Sequence, residues 1–325
     1  MPTLTATQAA NALYRPAYVP VAVFAGGTSG VGAAMARAFA RGLPKPARAG
    51  EWAHEFVRCE ATEMANVHTA CAGLRARLGR INYLVLSAGS NTMTWAGETR
   101  EGLDYRLSLR WYSHFVYIQE LAPLLAEAAE LGQDARVMSV LGAGFGVAPP
   151  DGGSQQRQGA RALVQVAERE GAAAPMRGMI IGVTLNDALI VWFAAQYPKL
   201  VFTHIHPGMV RTPTFKSEFA NLGWLLAPLT FVLFHSVNCL AAVEEDACAE
   251  WMLHPLLDPA CTRGPFIANR RGDVLSSYVF PPESRLGDSS RKGFVNGVPL
   301  KCYGGSDAVV KLVCGYAEEV LARVR

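Results

Sequence analysis

No C-x-x-C pair occurs among the seven cysteines (Cys59, Cys71, Cys239, Cys248, Cys261, Cys302, Cys314), and none stands at metal-ligand spacing from a histidine. Neither a cysteine-based metal site nor a disulfide framework is expected, and the odd, dispersed count reads as reduced thiols in a cytoplasmic protein. Strong charge of either sign is also missing. Only 18% of residues are charged, the net charge is +3, and the basic residues are scattered rather than set in an aromatic-interleaved stripe. That balance excludes nucleic acid as a partner. The N-terminal residues lack the charged start and continuous apolar run of a secretion signal. No apolar run is long enough for a membrane span, which requires ~20 residues. The most apolar stretch, residues 222–234, is interrupted by Pro228. No nucleophile elbow, paired-carboxylate site, metal cluster or internal repeat is visible.

What the chain does contain is a full core's worth of apolar residues, 50% of 325, with a mean hydropathy of +0.15. Its organising stretch is residues 21–32. An apolar run ends at Gly26 and Gly27, and Gly30-Val31-Gly32 then opens an Ala-rich segment of helical character, residues 33–41. A strand, a G-x-x-x-G-x-G turn and a helix in succession form a phosphate-binding corner. Glycines allow the tight turn and close approach, and the helix N-terminus offers free N–H groups to an anion. The candidate cofactor contacts there are Gly26, Gly27, Thr28, Ser29, Gly30, Val31 and Gly32. Two later turns match in style, Leu86-Ser87-Ala88-Gly89 and Pro207-Gly208-Met209-Val210-Arg211-Thr212.

These three motifs resemble, in order, the cofactor loop, the Asn-Ala-Gly turn and the Pro-Gly segment of the short-chain dehydrogenase/reductases. The wording of residues 21–32, 43–46, 82–89 and 204–212 resembles an atypical fungal branch of that family. The resemblance covers residues 20–270. It implies one doubly wound α/β domain of the Rossmann type over residues 1–325, binding NADP or NAD, with Ser87, Ala88, Gly89, Pro207, Gly208 and Thr212 added to the cofactor contacts. It further implies NAD(P)-linked oxidation or reduction of an alcohol or carbonyl. In the family the region of residues 213–245 is a lid over the substrate, so its apolar composition points to a hydrophobic substrate. The same stretch, at residues 222–234, could instead touch a membrane surface. The long helix expected over residues 104–131 commonly mediates homodimers in the family.

Two features depart from the family pattern. Between the first helix and the strand at residues 81–87 there is room for one strand, residues 54–58, and one helix, residues 63–78, where the family has two of each. Either the coding sequence is internally truncated, or the sheet is shortened and the third strand lies beside the first. The missing strand's end usually carries the ribose-reading residue. Glu51 lies at the expected distance, though a solvated loop acid fits it better. The second departure concerns catalysis. A family tyrosine works as an acid/base because a lysine four residues on lowers a pKa that is ordinarily near ~10. Counting back from Pro207, those positions are Leu185 and Leu189. The serine position falls on Gly142, with Ser139 three residues early, and the asparagine position falls on Arg110. Substitutes are Arg110 and His114, four apart on one helix face, and Asn186 beside the lost tyrosine; a helix–helix contact is the alternative for the first two. With these slots altered, a catalytically inactive binding or interaction protein on the same scaffold is the competing expectation.

Overall fold

The computed structural model describes residues 2–43, 54–89, 97–143, 164, 175–212, 242–262, 264–277, 294–295, 298–299 and 307–324. Five short strands pair in chain order, all parallel: β1 (Ala22–Ala25), β2 (Tyr83–Leu86), β3 (Arg136–Val140), β4 (Val201–Ile205) and β5 (Gly264–Ala268). A sixth, β6 (Val274–Ser277), closes the far edge antiparallel to β5. Alternation along the strands sends side chains to two cores. Leu84, Leu86, Val137, Phe202 and Ile267 enter one core, while Tyr83, Val85, Met138, Val140, Ile205 and Ala268 enter the other. The strands are therefore apolar on both faces, as helix-covered parallel strands must be.

Helices α2 (Gly30–Gly42) and α7 (Glu245–Leu257) pack together on one face, with α1 (Leu4–Asn11) behind them. Asn11 holds α1 in place by donating from Nδ2 to the Glu250 carbonyl (2.8 Å) and carboxylate (2.9 Å). The other face carries α3 (Met64–Arg77), α5 (Ser113–Glu130), α6 (Pro175–Gln196) and α8 (Asp307–Leu321). This is a doubly wound, mostly parallel Rossmann-type sheet, as the glycine corner and strand spacing imply. A small hairpin, β7 (Phe294–Val295) and β8 (Val298–Pro299), forms its own two-stranded sheet beside β6.

Three expectations need correction. Residues 54–58 are not a strand. Phe56 is 71% exposed rather than turned into the core, and the Glu55 carboxylate takes the Arg77 guanidinium of α3 at 2.5 and 2.7 Å. Among the described residues β1 pairs only with β2, so no third strand lies beside it. The long helix is also not uniform. After a short turn α4 (Tyr105–Leu107), residues Ser108–Tyr112 form a π-helical turn before α5 begins. Glu51 and residues 213–241, including the apolar stretch 222–234, lie outside the described residues. Among the described residues no helix is long and apolar enough to cross a membrane.

Candidate functional site

The glycine corner is built by close approach. Gly26, at φ 88°, lies against the β2 exit so tightly that a Cβ there would stand 2.5 Å from the Ala88 nitrogen. A Cβ on Gly32 would stand 2.1 Å from Ser87 Oγ and 2.5 Å from the Gly26 carbonyl oxygen. Ser87 is fixed in turn by its N–H and Oγ–H, which donate to the Ala25 carbonyl at 2.9 and 3.0 Å. Gly30, at φ 58°, has Thr212 over it, 3.3 Å from where a Cβ would be. The structure thus brings the glycine loop, Ser87, Ala88 and Thr212 into one cradle. Pro207 and Gly208 follow β4 at the same carboxyl end of the sheet, and Gly89, Thr28 and Ser29 are exposed at its rim.

The cradle fits an anionic dinucleotide on its own chemistry. Gly30, Val31 and Gly32 are the first residues of α2, whose N–H groups have no helical carbonyl before them. Ser29, at the N-cap, makes no side-chain bond to them, and no acidic residue stands in the first turn. Those donors and the positive helix end remain for a phosphate.

The proposed catalytic residues meet elsewhere. Asn186 Nδ2 donates to the Arg110 carbonyl (2.9 Å) and the Gly182 carbonyl (3.0 Å), which turns its Oδ1 toward Ser139 and His114. Ser139 Oγ donates to that oxygen at 3.0 Å, and His114 Nδ1 lies 3.1 Å from it. On its other side His114 Nε2 lies 3.2 Å from the Ala88 carbonyl. The π-turn makes this possible by releasing carbonyls from the helical ladder: Leu109's accepts from Ser113 Oγ at 2.7 Å and Arg110's from Asn186. So Arg110, His114 and Asn186 do come together, with Ser139, across the α5–α6 contact. They do not face a cleft, since Arg110 is 2% exposed and the other three are fully buried. Burial pushes His114 down to about 4, against the pull of its Asn186 and Ala88 partners, so it is neutral at pH 7. With no exposed surface, it has no direct route for exchanging a proton with solvent. Arg110 and His114 both meet Asn186 of α6 within the chain.

Next to this cluster His204 Nδ1 meets Asp187 Oδ1 at 2.6 Å, both fully buried. Burial raises the Asp187 carboxyl, and His204 offsets part of that. Leu185 and Leu189, at the tyrosine and lysine positions, are fully buried in the apolar core, and a Cβ on Gly142 would stand 2.7 Å from Val183. All three positions therefore serve packing. Replacing Leu189 with lysine should place an unpaired ammonium in that core and cost ~4 kcal/mol. A urea midpoint equal to wild type, together with new carbonyl-reducing activity, would contradict this account. Ser139 was not among the candidates. Its signal was a polar residue near the end of a buried strand, in register with His204 on β4.

Comparison with known proteins agrees with the fold and adds relatives. No family model matches the chain. It is 27% identical to "Oxidoreductase AN1596" of Emericella nidulans over 67% of each chain. To "Oxidoreductase andH" of Emericella variicolor it is 29% identical, over 72% of this chain and 70% of that one. Among solved structures, Thermoplasma acidophilum aldohexose dehydrogenase is similar with a TM-score of 0.53 at 12% identity, covering 81% of this chain and 97% of the other. The 3-alpha-hydroxysteroid dehydrogenase of Pseudomonas sp. B-0831 gives 0.51 at 18% identity, over 77% and 95%. The chain thus shares its fold with these dehydrogenases and is similar in sequence to fungal proteins named oxidoreductases.

Proposed function

We propose that this chain binds NADP or NAD at the glycine cradle and acts as an oxidoreductase on a hydrophobic carbonyl or alcohol. The observation that carries the reading is the nesting of Gly26 and Gly32 against Ser87 and Ala88, with uncapped helix donors facing the space. The names of the two fungal relatives support the reaction class, and the apolar sequence of residues 213–245 supports the substrate class. The dinucleotide would supply the hydride. The chain's own part is to hold the phosphates on the N–H groups of Gly30, Val31 and Gly32 and to border the reacting end with residues 207–212. Arg110, His114 and Asn186 serve in this reading as the internal brace that fixes Ala88. At the cleft itself His206, half-buried at the head of the Pro207–Gly208 turn, is the side chain able to exchange a proton. Burial lowers its pKa, so it is neutral near pH 7.

A second reading, a binding protein without catalysis, is favoured by one observation, the buried leucines at both family acid/base positions. Isothermal titration with NADPH and NADH, followed by decanal reduction read at the NADPH absorbance, separates the two. Saturable micromolar binding, with turnover that His206→Gln removes, is the expected result. Binding without turnover would establish the second reading, and no binding at millimolar cofactor would end both as dinucleotide proteins.

A further inference from the structure

The hairpin between β5 and β6 ends in a locked turn at the carboxyl edge of the sheet, the edge that carries the cradle. Asn269 organises it: its N–H donates to the Asp273 carbonyl (3.0 Å), and its Oδ1 accepts from the N–H groups of Arg271 (2.8 Å) and Asp273 (3.1 Å). Asn269 Nδ2 also donates to the Asp273 carboxylate at 2.9 Å, which engages the acid nearest in sequence. Gly272 presses against α7, where a Cβ would stand 2.4 Å from the Trp251 carbonyl oxygen. From this turn two adjacent arginines diverge. Arg271 lies over the Trp251 ring, 6.0 Å from its centroid. Arg270 goes the other way, its stem flat against Gly208, with Cβ and Cδ each 3.2 Å from where a Gly208 Cβ would be.

Gly208 thus has two duties, a left-handed turn at φ 75° and a bare backbone on which an arginine rests. Arg270 is exposed, and no carboxylate among the described residues pairs with it. Its charge reaches His206 at the cleft, where it adds to the lowering caused mainly by burial. A cation whose stem is already ordered loses less freedom on binding than a free surface arginine. Its planar fork suits a carboxylate or phosphate oxygen pair.

We infer that Arg270 is an anion-recognising side chain of the cofactor cleft, gripping a carboxylate or phosphate group of the bound molecule. This rests on the oxidoreductase reading for the identity of the cleft. The anion has two sources, an acidic group on an apolar substrate or the phosphates of the dinucleotide. The test is isothermal titration of the full chain with decanoate and, separately, with NADPH, for wild type, Arg270→Gln, Arg270→Lys and Arg271→Gln. Arg270→Gln is expected to weaken one arm by about tenfold or more, with Arg270→Lys recovering part of the loss, as for a lost charge-assisted bond. Loss in the decanoate arm assigns the anion to the substrate, and loss in the NADPH arm assigns it to the cofactor. Arg271→Gln should leave both constants within about twofold, since that side chain is turned to Trp251. Arg270→Gln affinities within about twofold of wild type in both arms would overturn the proposal, as would a wild-type chain that binds neither probe. A wild type that binds decanoate but not NADPH ends the oxidoreductase reading alone, and Arg270 is then judged on the decanoate arm.

Discussion

Alanine at position 32 is expected to remove dinucleotide binding and to destabilise the fold by about 3 kcal/mol, at the upper end for overpacking. The cause is geometric. The new Cβ would meet Ser87 Oγ at 2.1 Å and the Gly26 carbonyl oxygen at 2.5 Å, both well inside contact distance. Ser87 can rotate away only by giving up its 3.0 Å bond to the Ala25 carbonyl, which ties the ends of β1 and β2 together. The Gly26 carbonyl cannot rotate away, because Gly26 is itself pinned against the Ala88 nitrogen. The strain therefore moves α2 outward and takes its N-terminal donors off the phosphate position. A loss of at least ~30-fold in NADPH affinity, equivalent to ~2 kcal/mol, is the expected reading. Gly73→Ala provides the control. It sits within α3 with nothing inside 4 Å of a Cβ, and should gain ~0.5–1 kcal/mol from the helix preference of alanine. Equal NADPH affinities for Gly32→Ala and wild type would place the phosphate somewhere other than this corner.

The glycine corner was legible in the sequence because its physics is local. A tight turn between an apolar run and a helix needs glycines at fixed offsets, and nothing distant changes that. The strand expected at residues 81–87 followed from the same kind of local pattern, with bounds off by a residue or two. Residues 54–58 misled because adjacent Phe56 and Val57 resemble the middle of a short strand, whereas Phe56 faces solvent and Glu55 belongs to Arg77. The β6 strand was missed since its pairing is to β5, and a hairpin edge carries little apolar signal.

The candidate site was legible only as residue identities. Arg110, His114 and Asn186 were picked by counting along the family pattern, and they do cluster. What counting could not supply is direction. The π-turn at Ser108–Tyr112 shifts the helix register just where Arg110 stands, and turns its carbonyl rather than its guanidinium to Asn186. Burial then decides the chemistry: the same three residues in a wet cleft would be catalytic candidates, but enclosed between α5, α6 and β3 they brace the Ala88 turn. Hydrophobic enclosure of this kind comes from residues far apart in sequence, which no local pattern records.

Acid should destabilise this chain through His114, with a loss of about 3 kcal/mol between pH 6.5 and 4. The ring's folded pKa, about 4, lies below its ordinary 6.5, so the unfolded chain takes up a proton first. Stability from this group is fully present above pH 6.5 and drains as the pH falls to the folded value, where the loss is complete. Burial is the leading cause, and the charges of His204 and Arg110 add to it. The hydrogen bonds act in the opposite sense. The ring faces two acceptors, Asn186 Oδ1 and the Ala88 carbonyl oxygen, and the Ser139 hydroxyl 3.3 Å from Nδ1, and a neutral imidazole has one N–H to give. An imidazolium could donate to both acceptors, yet desolvating that charge costs more than the second bond returns. Asp187, whose pKa is raised, has the reverse dependence, and Asp134, whose pKa is lowered, loses its contribution below its ordinary 3.8. Both remain in His114→Gln, as does His206, so the difference between the two proteins isolates the ring. Urea unfolding at half-unit pH steps should show wild type falling toward the variant from pH 6.5 down to 4. Parallel curves across that window would mean that His114 keeps an ordinary pKa and takes up its proton as readily in the folded chain as in the unfolded one.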